Sequence, residues 1–301
     1  MWAIYGLLSA LMGGINGIVS KISLRKADIY TIIALRTVVA FLIAWGAVWW
    51  GGLLDDVWAI DRKCVLFLAL SGVATASAWY FYFAALRSGP IYGVAAVDKM
   101  SIVIVIIGGW IWFGEGMSVQ RVWSMILIVV GALLMMEKKS TGVDKHLRNN
   151  VEEKSISEDF RKHRWLAFSF LSVLLVSASI LLSKIGVESV DSRLAFAIRT
   201  TVVLIVSACV YALRGFTRVD CRIKRDGLGI VCISGVLLAV GWLFYFKGLS
   251  LGKVGALYSI DKLSIFVTVA LSSIFYRRTI IVRVGIGLLV LCVGITMQMI
   301  I

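Results

Sequence analysis

Residues 79–103 read WYFYFAALRSGPIYGVAAVDKMSIV, and residues 242–266 read WLFYFKGLSLGKVGALYSIDKLSIF. The second stretch repeats the first after 163 residues, with the same Trp-X-Phe-Tyr-Phe run and the same Asp-Lys-X-Ser-Ile sequence. The same offset relates further residues along the whole chain without a gap, for example Lys21 with Lys184. Such a duplication in a hydrophobic chain predicts a membrane protein built from two related halves.

Long apolar segments decide the fold class. The chain has 301 residues, of which 60% are hydrophobic and 16% charged, too little charge for a soluble domain of this size. Segments of about 20 apolar residues, the length that a helix needs to cross the hydrocarbon core, recur throughout. They predict an all-α integral membrane protein with ten transmembrane helices, near residues 2–24, 30–50, 64–87, 91–113, 119–136, 166–187, 193–213, 228–250, 254–275 and 279–301.

The number of spans in each half determines the orientation of the second half. Five crossings leave the chain on the opposite side of the membrane, so we expect two five-helix repeats of inverted topology. Residues 1–136 are predicted to form the first repeat and residues 165–301 the second. The polar linker at 137–164 is predicted to be disordered or a short surface helix; the alternative is docking to anionic lipid head groups, against which its interspersed acids argue.

The net charge of +14 would indicate nucleic-acid binding in a soluble protein. In a membrane protein it indicates instead that basic residues are concentrated in cytoplasmic loops. On the predicted topology, 19 of the 31 Lys and Arg residues lie on one face, 5 on the other and 7 within spans. We therefore expect the basic loops and the linker in the cytoplasm, and both chain ends outside, in the cell (inner) membrane.

Several kinds of site are not expected. The five cysteines show no CxxC spacing, and both histidines, His146 and His163, lie in the linker, so we expect no metal and no cofactor. No stretch resembles a Walker motif, which argues against ATP binding. Paired carboxylates or a nucleophile beside a base are also missing from the spans, so we do not expect an enzyme.

Ionisable side chains within the predicted spans are the main candidates for function, because they are costly in lipid and normally face the protein interior. They correspond under the 163-residue shift: Lys21, Arg36, Asp98 and Lys99 in the first half, and Lys184, Arg199, Asp261 and Lys262 in the second. If the repeats are inverted, these residues form two equivalent clusters facing opposite sides of the membrane.

Two interpretations of these clusters stay open. Each aspartate could simply neutralise a basic residue of its own half and hold the bundle together. Alternatively, each cluster is a gate or part of the substrate pathway, closing on one side of the membrane while the other opens. Three basic groups to one acid in each cluster would also suit a carboxylate or phosphate group on a substrate, although lysines near span ends can reach the interface instead.

An aromatic stripe follows the third span of each half at helical spacing. Trp79 and Tyr82 in the first half correspond to Trp242 and Tyr245 in the second. Such stripes serve in helix packing or in an interfacial belt. The alternative is that these four side chains line a central cavity and contact the substrate.

Small residues mark one face of the first span. Gly13 and Gly17 have GxxxG spacing, which predicts close packing of this helix against another. The second half has Val176 and Ile180 at these positions, so the halves are not interchangeable there.

Several short motifs carry a family resemblance: Ser20-Lys21, Ala34-Leu35-Arg36, the third-span aromatic run with Ala85-Leu86, and Phe113-Gly114-Glu115. With the duplicated layout, they resemble EamA-type members of the drug/metabolite transporter superfamily. The resemblance implies a ten-helix inverted-repeat carrier with a central cavity, for amino acids, nucleotide-linked and other metabolites, or drugs. Two features depart from it: Tyr276-Arg277-Arg278 replaces the Phe-Gly-Glu motif in the second half, and the family's termini are more commonly inside.

The resemblance implies a secondary transporter that is not driven by ATP, exporting a small metabolite by alternating access. The solute would be amino-acid-like or another organic compound. A proton is the candidate coupling ion, through Asp98 or Asp261, and passive exchange is the alternative. A non-transporting membrane scaffold or assembly subunit is the second functional hypothesis. The sequence leaves a monomer and a homodimer equally open.

Overall fold

The computed structural model describes residues 1–23, 29–88, 91–135, 158–218, 225–276 and 282–300, and within them the regular structure is helical, as predicted. A short 3₁₀ helix covers Asp55–Ala59. The α-helices are α1 (Trp2–Ser23), α2 (Ile29–Trp50), α3 (Arg62–Ser88), α4 (Ile91–Lys99), α5 (Ser101–Phe113), α6 (Val119–Met135), α7 (Glu158–Val187), α8 (Ser192–Arg218), α9 (Arg225–Leu251), α10 (Val254–Asp261), α11 (Ser264–Tyr276) and α12 (Val282–Ile300).

Several of these helices are long and apolar enough to cross a membrane. Among the described residues there are seven such segments: Trp2–Ser20, Ile29–Trp50, Arg62–Ala85, Arg164–Val187, Ser192–Leu213, Gly227–Leu251 and Val254–Leu271. Two shorter apolar helices cover Val119–Leu134 and Gly285–Gln298. The chain is thus a multi-pass helical membrane protein, whereas ten spans and inverted topology stay predictions.

The fourth predicted span of each half is broken into two helices. The first break lies at Met100, between α4 and α5, and the second at Leu263 and the residue before it, between α10 and α11. At these breaks the N–H of Met100 bonds the carbonyl of Val97, and the N–H of Leu263 bonds that of Ile260. These tighter bonds replace the regular i−4 pattern. The first break follows the Asp98-Lys99 pair, the second begins at the lysine of the Asp261-Lys262 pair, and neither contains proline or glycine.

Helix α7 begins earlier than predicted. It starts at Glu158, so residues 158–164 of the predicted linker are helical. This segment contains neither glycine nor proline, the two residues that most disfavour a helix. The other residues of the linker, 137–157, lie outside the described part of the chain.

The chain divides into two compact units, and helices of both sequence halves contribute to each. Unit 1 comprises Met1–Ala76 and Ser179–Arg278, and unit 2 comprises Ser77–Ala178 and Thr279–Ile301. Helices α3 and α7 contribute to both units. The units therefore cut across the predicted repeats at 1–136 and 165–301, which describe duplication of the sequence rather than compact bodies.

Small residues allow close helix packing in unit 1, where α1 packs against α9, α10 and α11. The glycine face of α1 contacts α11, as the GxxxG spacing predicted. A Cβ added at Gly13 would lie 3.5 Å from Ser264 Cβ, and one at Gly17 would lie 2.9 Å from the Thr268 hydroxyl. That hydroxyl also donates a hydrogen bond to the Gly14 carbonyl at 3.0 Å.

Helix α10 is enclosed by its neighbours in unit 1. It contacts α1 and α9, and its residues from Val254 through Ile260 are all buried. Gly6 of α1 meets the α10 side chains directly, since an added Cβ would lie 3.0 Å from Ile260 Cγ2.

Two glycines of unit 1, one from each sequence half, make equivalent contacts with a helix of the other half. A Cβ at Gly72 of α3 would lie 2.9 Å from the Arg199 carbonyl oxygen of α8, and one at Gly235 of α9 would lie 3.0 Å from the Arg36 carbonyl oxygen of α2. In each case the added Cβ would also clash with the valine three residues after the arginine. Gly72 corresponds to Gly235, and Arg36 to Arg199, under the 163-residue shift.

Unit 2 contains a second contact of this kind, between α6 and α12. A Cβ at Gly131 would lie 2.7 Å from the backbone nitrogen of Leu291, and one at Gly294 would lie 3.0 Å from that of Ile128. These residues again correspond in pairs under the shift. The duplication is therefore visible in the helix packing inside each unit.

An ion pair at the start of α8 gives a testable pH dependence. Asp191 caps the helix, since its Oδ1 accepts the backbone N–H of Arg193 at 2.8 Å. Burial raises the pKa of the Asp191 carboxyl, but hydrogen bonds from the side chain and backbone of Arg193, with the charges of Arg193 and Lys247, outweigh it and hold the pKa below its ordinary value.

Because this pKa is depressed in the folded state, the ion pair stabilises the protein above about pH 4, and the stabilisation is lost as pH falls through the folded pKa. Asp191→Asn, which keeps the cap, should therefore lower stability at pH 7 by about 0.5 kcal/mol after solvent screening. Thermal unfolding of both proteins from pH 7 to pH 3 measures this. A difference that is as large at pH 3 as at pH 7 would contradict the assignment.

Candidate functional site

A buried arginine of unit 1 contacts both polar and aromatic residues. Arg199, on α8, is 1% exposed. Its Cζ lies 3.7 Å from the centroid of the Trp242 ring and 5.3 Å from that of Phe246, both on α9. A guanidinium over an aromatic face at this distance is attracted by the ring quadrupole. The structure thus brings two of the predicted candidates, Arg199 and Trp242, into direct contact.

Hydroxyl groups hold one edge of the Arg199 guanidinium. Its Nη2 donates to Thr75 Oγ1 at 2.6 Å and to Ser179 Oγ at 3.2 Å. Its Nε and Nη1 are buried and have no hydrogen-bond partner among the described residues. Within that part of the chain, no carboxylate lies at ion-pair distance from Arg199. The guanidinium is therefore held by neutral groups.

These two hydroxyls belong to a larger hydroxyl cluster, which comprises Ser71 and Thr75 on α3 with Ser179 and Ser183 on α7. Ser71 Oγ lies 3.1 Å from Ser179 Oγ and 2.6 Å from Ser183 Oγ, and the Thr75 and Ser179 hydroxyls also bond each other. All four side chains are buried. Their i, i+4 spacing puts each pair on one helix face.

Unit 1 contains a second, related cluster. We call it the amide cluster, and it comprises Asn16 and Ser20 on α1 with Ser234 on α9. Ser234 Oγ donates to Asn16 Oδ1 at 2.6 Å, and it lies 3.2 Å from Ser20 Oγ. These residues correspond under the 163-residue shift to three members of the hydroxyl cluster. The same inter-helix bonding thus occurs twice, with the halves exchanged.

The two clusters differ at the positions that hold Arg199. Asn16 stands where the other half has Ser179, and Leu238 stands where it has Thr75. Arg36, the counterpart of Arg199, is also buried. The hydroxyl pair around Arg199 is thus specific to one half, although the surrounding packing is shared by both.

Tyr245 lies near Arg199, and Asp261 lies near Tyr245. Tyr245 is buried, and its hydroxyl has no hydrogen-bond partner among the described residues. It lies within electrostatic range of both Arg199 and Asp261. Asp261, at the end of α10, accepts a hydrogen bond from Ser9 Oγ at 2.6 Å. The break after α10 therefore places this carboxylate against α1.

The lysines among the predicted candidates have local partners. Lys184 Nζ donates to the carbonyls of Leu249 and Gly252 at 2.9 and 3.0 Å, at the end of α9 where a positive charge complements the helix dipole. Lys262 Nζ lies 4.9 Å from the centroid of the Tyr258 ring. The side chain of Lys21 lies outside the described residues.

Unit 2 contains the remaining candidates. Lys99 Nζ lies 3.5 Å from Asp98 Oδ2, immediately before the break at Met100. Trp79 and Tyr82 are half-buried on α3, and Tyr82 packs edge-on against the ring of the following residue.

The Phe-Gly-Glu motif also lies in unit 2. Gly114 ends α5 with φ +63°, a left-handed conformation that favours glycine. Glu115 is buried, with its Oε2 3.8 Å from Arg121 Nη1. Its counterpart in the second half, Arg278, lies outside the described residues.

Sequence reasoning identified Arg199, Trp242, Tyr245 and Asp261 but not the hydroxyls around them. The missed signal is the i, i+4 spacing of Ser71 with Thr75 and of Ser179 with Ser183 in otherwise apolar spans. No group of three or more potential His, Cys, Asp or Glu ligands occurs in the described part of the chain.

Comparisons with known proteins agree on family and fold. A model of the EamA-like transporter family matches residues 1–137 and 163–300, two regions close to the predicted repeats. An uncharacterized transporter encoded in the cobO 3' region of Sinorhizobium sp. is 34% identical over 134 residues, covering 44% of this chain and 95% of the relative. A protein of known crystal structure shares the fold, with a TM-score of 0.78, 12% identity and coverage of 99% of this chain and 96% of that one.

Proposed function

This chain belongs to the EamA-like transporter family, and on that premise we propose that it is a secondary transporter that moves a small organic solute by alternating access. The solute is amino-acid-like or another organic metabolite, and the direction is export across the cell (inner) membrane. The proposal includes ten spans in two inverted repeats, with the basic loops in the cytoplasm and the termini outside.

The observation that carries this proposal is the repetition of contacts with the halves exchanged. In unit 1, Gly72 packs on α8 as Gly235 packs on α2, and in unit 2, Gly131 and Gly294 pack symmetrically across α6 and α12. Transporters with internal repeats alternate between two states in which the repeats exchange roles. Contacts that have an equivalent in the other half are what such an exchange requires.

Within this proposal, the charged residues of the spans form gates or part of the substrate pathway, and the aromatic residues line the cavity and contact the solute. The candidates for a gate or for the substrate pathway remain Lys21, Arg36, Asp98, Lys99, Lys184, Arg199, Asp261 and Lys262, and the cavity-lining candidates remain Trp79, Tyr82, Trp242 and Tyr245. Asp98 and Asp261 are the candidate coupling residues, because each sits at a helix break, and broken helices commonly form ion and substrate sites in transporters.

The test is flux in liposomes that contain the purified full-length chain. Counterflow of a panel of radiolabelled amino acids and organic acids would identify a transported solute. Its accumulation with and without an imposed pH gradient then separates proton coupling from passive exchange. Flux no greater than in protein-free liposomes for the whole panel would contradict the proposal and favour a scaffold.

Asp261→Asn is expected to abolish the response to the pH gradient while leaving exchange and folding intact. The amide oxygen can still accept the Ser9 hydrogen bond, but the asparagine side chain can no longer gain and release a proton as the carboxylate can. Asp191→Asn is the matched control, since that carboxylate lies outside the spans. A pH response that survives in Asp261→Asn excludes Asp261 as the coupling residue.

A further inference from the structure

We propose that Arg199 binds the carboxylate of the transported solute, and that the solute is a small organic monoanion with an apolar body. This inference rests on the proposed transport function and adds the chemical class of the solute to it. It assigns a binding role to Arg199, with Tyr245 as a second donor.

The first argument is the uncompensated charge of Arg199. A cation within a membrane span is costly unless an anion or water accompanies it. Arg199 is 1% exposed, and among the described residues its hydrogen bonds go to two neutral hydroxyls. A bound carboxylate would supply the missing negative charge.

The second argument is the number of unused donors. A guanidinium has five N–H groups, and the three on Nε and Nη1 of Arg199 have no acceptor in the described part of the chain. The Tyr245 hydroxyl is also buried without a described partner, and it lies within electrostatic range of Arg199. Buried donors are normally satisfied, so several neighbouring unsatisfied ones indicate an acceptor that binds there.

The third argument is that the hydroxyl pair is not required by the packing. The glycine contact beside Arg199 recurs in the other half at Gly235, but Thr75 and Ser179 are replaced there by Leu238 and Asn16. A purely architectural arrangement would be expected wherever the architecture recurs. The groups that orient Arg199 are therefore explained better by a ligand than by the fold.

The surroundings favour a monoanion with an apolar body. One guanidinium matches one negative charge, whereas a phosphate ester carries nearly two and is commonly bound by several basic groups. Lys184 and Lys262 are engaged elsewhere, with helix-end carbonyls and with the Tyr258 ring. Trp242, with the Phe196 ring 6.4 Å from its own, forms an apolar wall beside the charge.

The test measures binding separately from transport. The melting temperature of the purified full-length chain in nanodiscs is recorded with acetate and phenylacetate, with their neutral amides acetamide and phenylacetamide, and with phenyl phosphate. A ligand that binds the native state raises this temperature by mass action. We expect the two carboxylates to raise it, phenylacetate more strongly, and the two amides to leave it unchanged.

Arg199→Gln removes the charge but keeps a donor for the hydroxyl pair. We expect about 10- to 100-fold weaker carboxylate binding, the effect of losing hydrogen bonds from a charged donor. The ligand-free variant should melt at or above the wild-type temperature, because a buried, uncompensated charge has been removed. Arg193→Gln, which changes a half-exposed arginine paired with Asp191 at the start of α8, is the control and should bind like the wild type.

Three results would overturn the proposal: equal stabilisation by the carboxylates and their amides, stronger stabilisation by phenyl phosphate, or unchanged carboxylate binding in Arg199→Gln. A lower melting temperature of ligand-free Arg199→Gln would assign Arg199 a structural role instead. Flux of a neutral solute without carboxylate binding would refute this site but not transport. Carboxylate binding without flux of any solute would refute transport but not the site.

Discussion

Valine in place of Gly72 or Gly235 is expected to prevent native packing of unit 1, and the two changes are expected to have equal effects. A Cβ at Gly72 would lie 2.9 Å from the Arg199 carbonyl oxygen, and one at Gly235 would lie 3.0 Å from the Arg36 carbonyl oxygen. These obstacles are backbone atoms, which cannot rotate away as a flexible side chain can. We expect each change to cost about 3 kcal/mol, the upper part of the range for overpacked cores.

Gly46→Val is the matched control. Gly46 also lies within a membrane-spanning helix, α2, but an added Cβ meets nothing within 4 Å. The Gly46→Val change introduces the same β-branched side chain into a helix without a clash. Thermal unfolding and the yield of monodisperse protein measure all three variants. A large difference between the two repeat-related changes would contradict the equivalence of these contacts, and a loss as large in the control would show that valine itself is responsible.

Removal of both hydroxyls that hold Arg199 is the second change with a large expected effect. Thr75→Val with Ser179→Ala deletes the acceptors at 2.6 and 3.2 Å and leaves a buried cation with fewer partners. Each hydrogen bond to a charged group contributes about 1.5–3 kcal/mol, so the double variant should lose about 3–6 kcal/mol. In an Arg199→Gln background the same double change should lower the free energy of unfolding much less, because an uncharged amide forms weaker hydrogen bonds with these acceptors.

The control for that cycle removes two hydroxyls from the same cluster without touching Arg199. Ser71→Ala with Ser183→Ala deletes bonds between neutral groups, each contributing about 1 kcal/mol. Unfolding free energies of the two double variants, of Arg199→Gln and of their combinations give the coupling directly. Equal losses for the two pairs of hydroxyls, or no coupling to Arg199→Gln, would show that these bonds do not serve the guanidinium.

The helical membrane fold and the duplication could be predicted from sequence because apolar length and residue identity are local signals. The packing of Gly13 and Gly17 followed from their spacing for the same reason. The breaks at Met100 and Leu263 could not, because neither contains the proline or glycine that commonly marks a break in a helix. At the first break the Ser101 hydroxyl bonds the Asp98 carbonyl, a local competitor for the helix hydrogen bond that apolar length does not reveal.

The partners of Arg199 could not be predicted from the charged residues of the sequence. Its burial was predictable, since an arginine in an apolar span must face protein. Its described partners are hydroxyls and aromatic rings, however, and neutral groups give no signal in a search for opposite charges. Thr75 and Ser179 lie far apart in the sequence, and tertiary packing alone brings them to the same guanidinium.

The enclosed position of α10 determines how the surrounding bilayer acts on Asp261. Hydrocarbon thickness acts on a transmembrane protein through the side chains that face lipid. Since Val254 through Ile260 are all buried, α10 offers no such surface. A thinner or thicker bilayer therefore acts on this carboxylate through neighbouring helices such as α1 and α9, which α10 contacts. The lipid composition of the membrane thus affects Asp261 indirectly, through the helices that shield it.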